Sequence, residues 1–226
     1  MFCNVRKLIS ISGLAITLIA VGLGNVSSRL SKQAPSIKLG KQNDGSFVVS
    51  TLQRVQNEPI TIEHRCLDMA YKPGGGLLAI LCQHSLILST KDGVISSSNY
   101  LLPRAASHRG IAWSPDGLRL FASVSDGFVH EFQIIENRIR PVRTIQLKQG
   151  SDFSNPRPGG IAITKDGRRM YVALCDRNSV AEIDLTTNRR IRELQTQNLP
   201  CDVKLSSDEK SIIVTNWGGR TPLDED

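Results

Sequence analysis

The sequence lacks the short motifs from which enzyme activity is most often inferred. It contains no G-x-S-x-G, no P-loop and no H-E-x-x-H, so nucleophile-elbow hydrolases, P-loop nucleotide hydrolases and H-E-x-x-H metalloproteases are not indicated. It has no C-x-x-C spacing, which argues against a zinc or thioredoxin-like site. We therefore predict no catalytic residue, no metal site and no cofactor, and whether the chain serves an enzyme stays open.

Helical periodicity is also missing after the N-terminal segment. No helical pattern of about 10 to 15 residues separates the apolar stretches, which argues against a parallel α/β sheet. Aromatic residues make up only 5% of the chain, whereas glycine is frequent, with 18 residues. Frequent glycine is expected where many tight turns separate short strands, so the composition favours an all-β protein.

The first 28 residues have the pattern of a secretory signal or an uncleaved membrane anchor. Residues 1–7 are short and basic, residues 8–23 carry no charge, and small and polar residues follow. The apolar core is shorter than the roughly 20 residues of a spanning helix, but a clean A-x-A cleavage site is missing. We expect export across a bacterial inner membrane to a periplasmic or secreted location, with membrane contact only through an uncleaved leader.

The excess of positive charge is partly a property of this leader. Four basic residues without an acidic counterpart lie in or next to it: Arg6, Lys7, Arg29 and Lys32. The formal net charge of +7 therefore leaves +3 for the remainder. Because so small an excess gives weak support for binding to phosphates, we predict no nucleic-acid partner.

Comparison of the chain with itself reveals a repeat. Three segments align without adjustment, at residues 110–128, 160–178 and 202–220, and a degenerate fourth lies at 68–86. Their starts are 42, 50 and 42 residues apart, and a loop insertion around residues 148–157 explains the longer interval. Self-similarity at such a period is the signature of a repeat architecture.

Each unit predicts the same succession of short strands and tight turns. Asp and Gly recur in the turn after the first strand, because Asp caps the local backbone and Gly accepts a positive φ. The predicted strands are Ile111–Trp113, Leu120–Val124, Phe128–Ile134 and Arg143–Leu147 in one unit, Ile161–Ile163, Met170–Leu174, Ser179–Leu185 and Arg190–Leu194 in the next, and Val203–Leu205 and Ile212–Thr215 in the last.

Four short antiparallel strands at this interval are typical of a propeller blade. A β-sandwich also has many short strands, but it does not require the same turn chemistry at a fixed interval. We predict an all-β fold, a partial β-propeller of about four blades after an N-terminal signal or anchor helix. Its parts are a leader at 1–28, a linker at 29–38 and an incomplete propeller at 39–226, with units starting near residues 68, 110, 160 and 202.

The unit that starts at residue 160 carries a characteristic series of residues. They are Pro158, Gly160, Ile161, Ala162, Asp166, Gly167, Arg168, Met170, Tyr171 and Val172, followed by Ser179-Val180, Ile183-Asp184 and Thr187-Asn188. This series resembles the YVTN-type β-propeller repeat, a WD-like repeat that diverse proteins carry. The resemblance covers about residues 60–220 and implies a propeller fold without selecting an activity.

A narrower resemblance concerns the stretches 40–55 and 215–222. They look like the first half of exported bacterial proteins that join such a propeller to a C-terminal phosphoesterase domain. The resemblance implies that this chain holds the leader and half of the propeller, and it transfers no catalytic residue. The wider family includes proteins similar to lactonases, and no motif here selects that activity.

The chain is also short for a closed ring, which would need about 300 residues for seven blades. An open arc leaves strand edges uncovered, which invites pairing with other chains. We expect a fragment of a larger protein. A truncated reading frame, or a half-ring that self-associates through its open blade edges, is the alternative.

The repeat spacing places polar residues of different units at equivalent positions in their predicted sheets. Turns between second and third strands and loops entering the innermost strands are expected to share one face, around the central channel. The candidate ligand-binding residues on this rim are His84, His108, Arg109, Asp126, Asp176, Asp202 and Trp217. Such a rim is suited to an unknown polar ligand, a cation or a protein partner. The alternative is that each Asp only caps its turn and the other side chains are solvated.

Four cysteines follow the leader: Cys66, Cys82, Cys175 and Cys201. An even count in an exported chain permits disulfides. Cys66 and Cys82 lie on two predicted strands joined by a turn, so they can approach one another, and the other two lie near one loop face. Because Cys is often a small core residue, we expect buried thiols.

Overall fold

The structure is a computed structural model that describes residues 38–49, 53–55, 62, 65–90, 100–148 and 155–219. Within these ranges every regular element is a strand apart from one short 3-10 turn, which confirms the all-β prediction. The predicted leader and all but the last residue of the predicted linker lie outside the described residues. No helix in the described part of the chain is long and apolar enough to span a bilayer.

The chain divides into two compact units, Met1–Pro59 and Ile60–Asp226. In the first unit, three short strands form an antiparallel sheet in chain order. They are β1 (Gly40–Lys41), β2 (Phe47–Val48) and β3 (Arg54–Val55). The turn between β1 and β2 is closed by Asp44, which accepts hydrogen bonds from the amide and the hydroxyl of Ser46.

The described residues of the second unit form three four-stranded antiparallel sheets and a two-stranded one, each with its strands in chain order. The first sheet holds β4 (Cys66–Tyr71), β5 (Leu77–Cys82), β6 (Ser85–Thr90) and β7 (Tyr100–Leu101). The second holds β8 (Ala106–Trp113), β9 (Arg119–Val124), β10 (Phe128–Ile135) and β11 (Arg138–Gln146). The third holds β12 (Pro158–Ile163), β13 (Arg169–Leu174), β14 (Ser179–Asp184) and β15 (Arg189–Gln195). The fourth holds β16 (Pro200–Leu205) and β17 (Ile212–Asn216).

All the predicted strands are present, but several begin earlier than expected: β8 and β11 begin five residues early, and β12 and β16 three residues early. Strand β11 starts at Arg138 rather than at Arg143. The reason is the turn before it, in which Glu136 and Asn137 both adopt positive φ, at 49° and 59°. Two such residues form a tight hairpin turn whose twist matches the flanking strands, so pairing resumes at once.

The recurring turn between the first two strands of a sheet is held by its own side chains. In the second sheet, Asp116 accepts hydrogen bonds from the Ser114 hydroxyl and the Leu118 amide. These bonds hold the pKa of Asp116 below its usual range. Asp166 and Asp208 make the same pair of contacts in the next two sheets. The repeated Asp is therefore a local device that sets the register of each strand pair.

Successive side chains of a strand point to opposite faces of its sheet, so one strand contributes to the apolar clusters on both sides. In β9, Leu120 and Ala122 belong to the apolar cluster shared with the first sheet, whereas Phe121 belongs to the cluster shared with the third. All three are fully buried. A third cluster joins the third sheet to the fourth. Because each sheet covers an apolar face of its neighbour, the sheets stack as the blades of a propeller do.

Candidate functional site

A bulge in the innermost strand of the second sheet carries two of the predicted site residues. Between Ala106 and Ile111, β8 advances five residues while its partner β9 advances two. Within this bulge, His108 and Arg109 are exposed to solvent, whereas Gly110 is buried and has a φ of +123°. Bulges re-aim side chains away from the regular ladder, and this one presents an imidazole beside a guanidinium.

The neighbouring sheets brace this bulge from both sides. Asp68 of the first sheet accepts hydrogen bonds at Oδ2 from the amides of Gly110 and Ile111, at 2.9 and 3.3 Å. On the other side, the buried hydroxyl of Ser123 donates to the carbonyl of Gly159 in the third sheet, at 2.7 Å. The position of the bulge therefore depends on the packing of three sheets.

Arg109 reaches Asp202, which lies in the first strand of the fourth sheet. Its Nη1 is 3.1 Å from Oδ2 of Asp202. The other carboxylate oxygen accepts the amide of Val203 at 2.9 Å and lies 3.6 Å from Nζ of Lys204. The Asp202 side chain is 14% exposed, whereas those of Arg109 and Lys204 are 54% and 69% exposed. The carboxylate of Asp202 is thus more buried than the two cations beside it, which solvent can reach.

Two exposed rings contact each other, and one of them belongs to His108, the residue before Arg109. The ring centroids of His108 and Trp217 are 5.4 Å apart, with an angle of 52° between the planes. Trp217 is 65% exposed, and its backbone amide donates to the carbonyl of Leu199 at 2.8 Å, which fixes the chain after β17. We call His108, Arg109, Asp202, Lys204 and Trp217 the basic–aromatic cluster.

The basic–aromatic cluster combines two chemical capacities. Two cations and one carboxylate give it a surplus of one positive charge. Arg109 offers planar donors that suit a carboxylate or a phosphate, and Lys204 adds a second cationic donor. The exposed face of Trp217 offers an apolar platform with a polar edge. No group of three or more His, Cys, Asp or Glu side chains suited to a metal ion occurs among the described residues.

None of the other three predicted site residues takes part in the contacts described above. Asp126 accepts the amide two residues further on and lies 2.9 Å from Nε2 of His130. Asp176 forms an ion pair with Arg157, and His84 is exposed in the turn between β5 and β6. The structure thus brings together four of the seven predicted residues, and the contacts of Asp126 match the alternative of simple turn capping.

Sequence reasoning missed Lys204 and the bracing role of Asp68. Lys204 had a usable signal, because it lies two residues after Asp202 on a predicted strand and so on the same face. Asp68 entered the prediction only as the start of a unit. That its side chain bonds to the amides of the next sheet depends on sheet stacking, which the local sequence does not encode.

Comparison with known proteins gives the fold. No family model matches the chain, and no curated protein matches it. Among solved structures, Kuenenia stuttgartiensis hydrazine synthase is similar with a TM-score of 0.58 and 21% identity over 73% of this chain and 46% of that one. A putative 6-phosphogluconolactonase from Bacteroides uniformis is similar with a TM-score of 0.56 and 13% identity over 76% and 56%.

The chain spans about half the length of these two solved chains. Both neighbours have propeller-type folds, and identities this low carry information on fold alone. The similarity agrees with the stacked four-stranded sheets described above. The chain therefore has an all-β, β-propeller-like fold.

Proposed function

We propose that this protein is an exported, propeller-type binding module whose basic–aromatic cluster holds a small anionic ligand that contains a ring. One observation carries the proposal: the second and fourth sheets meet through an ion pair that leaves two cations exposed and through a contact between two exposed rings. Solvated Lys and Arg are common on any surface. Here, however, the cations flank a shared carboxylate, and hydrogen bonds from neighbouring sheets fix the bulge that presents Arg109.

The contacts suggest how such a ligand would be held. Asp202 engages Arg109 through Nη1, and a guanidinium has further N–H donors for a carboxylate or phosphate. Lys204 would supply the second charge, and Trp217 would stack on the ring of the ligand. Asp202 keeps both cations in place before the ligand arrives, which reduces the entropy lost on binding.

Tryptophan fluorescence gives a direct test, because the two tryptophans differ in environment. Trp113 is 7% exposed and donates from Nε1 to the carbonyl of Ala70, whereas Trp217 is exposed. We expect glucuronate or glucose 6-phosphate, which both carry an anionic group on a sugar ring, to change the emission of the full-length protein. Arg109→Ala should weaken the affinity about tenfold or more, since it removes a charge-assisted hydrogen bond.

Two variants control this titration. Arg138→Ala removes the same charge from an exposed position in β11 and should bind like the original protein. Trp217→Phe should lose the fluorescence response. The proposal fails if neither sugar anion changes the emission, or if Arg138→Ala weakens binding as much as Arg109→Ala does.

Export is the second part of the proposal and rests on residues 1–28. Expressed in a bacterial host, the protein should accumulate outside the cytoplasm with the leader removed, which N-terminal sequencing of the mature chain would reveal. An intact Met1 in the membrane fraction would indicate an anchor instead. An intact Met1 in the soluble cytoplasmic fraction would contradict export.

A second candidate is a lactonase-like hydrolase, favoured by the similarity to the putative 6-phosphogluconolactonase. In it, His108 would take a proton from the attacking water and Arg109 would stabilise the developing oxyanion. Hydrolysis of a sugar lactone faster than in buffer, and lost in His108→Ala, would distinguish this candidate from a binding module. A third candidate is the propeller part of a phosphoesterase fusion, for which we assign no catalytic residue in this chain.

A further inference from the structure

Two cysteines face each other across the first two strands of the first sheet. Cys66 in β4 lies directly opposite Cys82 in β5, and their Sγ atoms are 3.7 Å apart. The amide of Gln83 donates to the carbonyl of Arg65 at 2.9 Å, so the two cysteines occupy a non-hydrogen-bonded pair. Cα atoms in such pairs lie about 4.5 Å apart, which is within the range that disulfides span.

The two thiols differ in access. Cys66 is exposed, contrary to the expectation of buried thiols, because it lies at the start of β4, an edge strand among the described strands of its sheet. Cys82 is fully buried beside Ile80 and Ile87. Burial raises the pKa of Cys82 to about 11, so this thiol is protonated at neutral pH. An oxidant therefore meets Cys66 first.

We propose that Cys66 and Cys82 form an intramolecular disulfide by exchange with a small disulfide or with the disulfide of a thiol oxidoreductase. The Cys66 thiolate attacks one sulfur of the donor, forms a mixed disulfide and releases one donor thiolate. Cys82 then loses its proton, attacks the Cys66 sulfur and releases the second donor thiolate. The two protein thiols are oxidised by two electrons in total, and the donor disulfide is reduced to two thiols.

The position of this disulfide connects it to the site without depending on the proposed ligand. Asp68, two residues after Cys66, is the side chain that braces the β8 bulge. A bond between Cys66 and Cys82 ties β4 to β5 where their register shifts. The disulfide would therefore hold in place the strand that supports Arg109.

The sequence offers a clean assay. Trypsin leaves both cysteines in one peptide, residues 66–91, because the intervening Lys72 precedes Pro73. Cyanogen bromide then cleaves after Met69, between the two cysteines. The full-length protein is equilibrated with reduced and oxidised glutathione, alkylated with iodoacetamide and digested. Mass spectrometry then shows whether the two fragments stay joined until reductant is added.

We expect the two fragments to be joined, unalkylated and lighter by two hydrogen atoms. Cys66→Ser should abolish the link, Cys82→Ala should retain glutathione on Cys66, and Cys175→Ser should leave the link intact. Closure of the mixed disulfide should accelerate about tenfold per pH unit above neutral, because Cys82 must first ionise. Alkylation of both cysteines in oxidising buffer, or a link from Cys66 to Cys175, Cys201 or another molecule, would overturn the proposal.

Discussion

Gly110→Ala is expected to lower the free energy of unfolding by about 3 kcal/mol or more. A Cβ at this position would overlap the carbonyl oxygen of Gly159 and the side chain of Ser123. Neither neighbour can move away easily, because the two are joined by a buried hydrogen bond between the second and third sheets. The backbone φ of +123° adds a conformational penalty for any residue with a Cβ. The substitution would therefore separate two sheets at the point where they support the site.

Gly75→Ala is the matched control for this effect. Gly75 also has a positive φ, of +85°, but nothing lies within 4 Å of its Cβ position. We expect it to lose only about 1 kcal/mol, from backbone strain. Urea denaturation measures the free energy of unfolding that each variant loses, and the difference between the two losses is the part that comes from contact between sheets. Equal midpoints for the two variants would show that the sheets do not approach one another at Gly110 as described.

The same pair of variants tests whether the candidate site depends on the position of the β8 bulge. His108 and Arg109 directly precede Gly110 in the β8 bulge, so a shift of the bulge moves both away from Trp217 and Asp202. Gly110→Ala should therefore also lose the fluorescence response to a sugar anion under conditions in which it remains folded. Gly75→Ala should keep that response, because its turn lies outside the basic–aromatic cluster.

What the sequence predicts well here is local. The Asp-Gly turns and the alternation of apolar residues involve neighbours a few positions apart, which is why every predicted strand is present. Strand β11 began early for a reason that is also local, since the turn at Glu136 and Asn137 had no Gly to reveal it. The repeat spacing extended this local information to equivalent positions in successive units. It placed His108, Arg109 and Asp202 on the same face of the predicted propeller.

What the sequence did not predict depends on how the strands pair with one another. The bulge in β8 is visible only in its pairing with β9. Glu131 is a further example, because a charged residue in a strand is expected to face solvent. It is 3% exposed, and its carboxylate pairs with Arg143 of the adjacent strand at 2.6 Å. Such partners become neighbours only after the strands assemble, so no short window of sequence contains them.

Phe132→Ala is expected to lower the free energy of unfolding by about 3 to 5 kcal/mol. Phe132 is fully buried in the apolar cluster that joins the first two sheets. Its ring lies edge-on to that of Tyr100 in the first sheet, with the centroids 4.9 Å apart. Truncation would leave a cavity between the sheets and remove this aromatic pair. Chemical denaturation measures the loss directly.

Gln133→Ala is the control, because Gln133 follows in the same strand and is exposed. It should change the free energy of unfolding by no more than about 0.5 kcal/mol. A loss of less than about 1 kcal/mol in Phe132→Ala would mean that the first and second sheets do not share a packed core. The bonds from Asp68 to the β8 bulge cross the same boundary. A loosely packed boundary would therefore also remove the support from Arg109 on which the proposed binding of an anion depends.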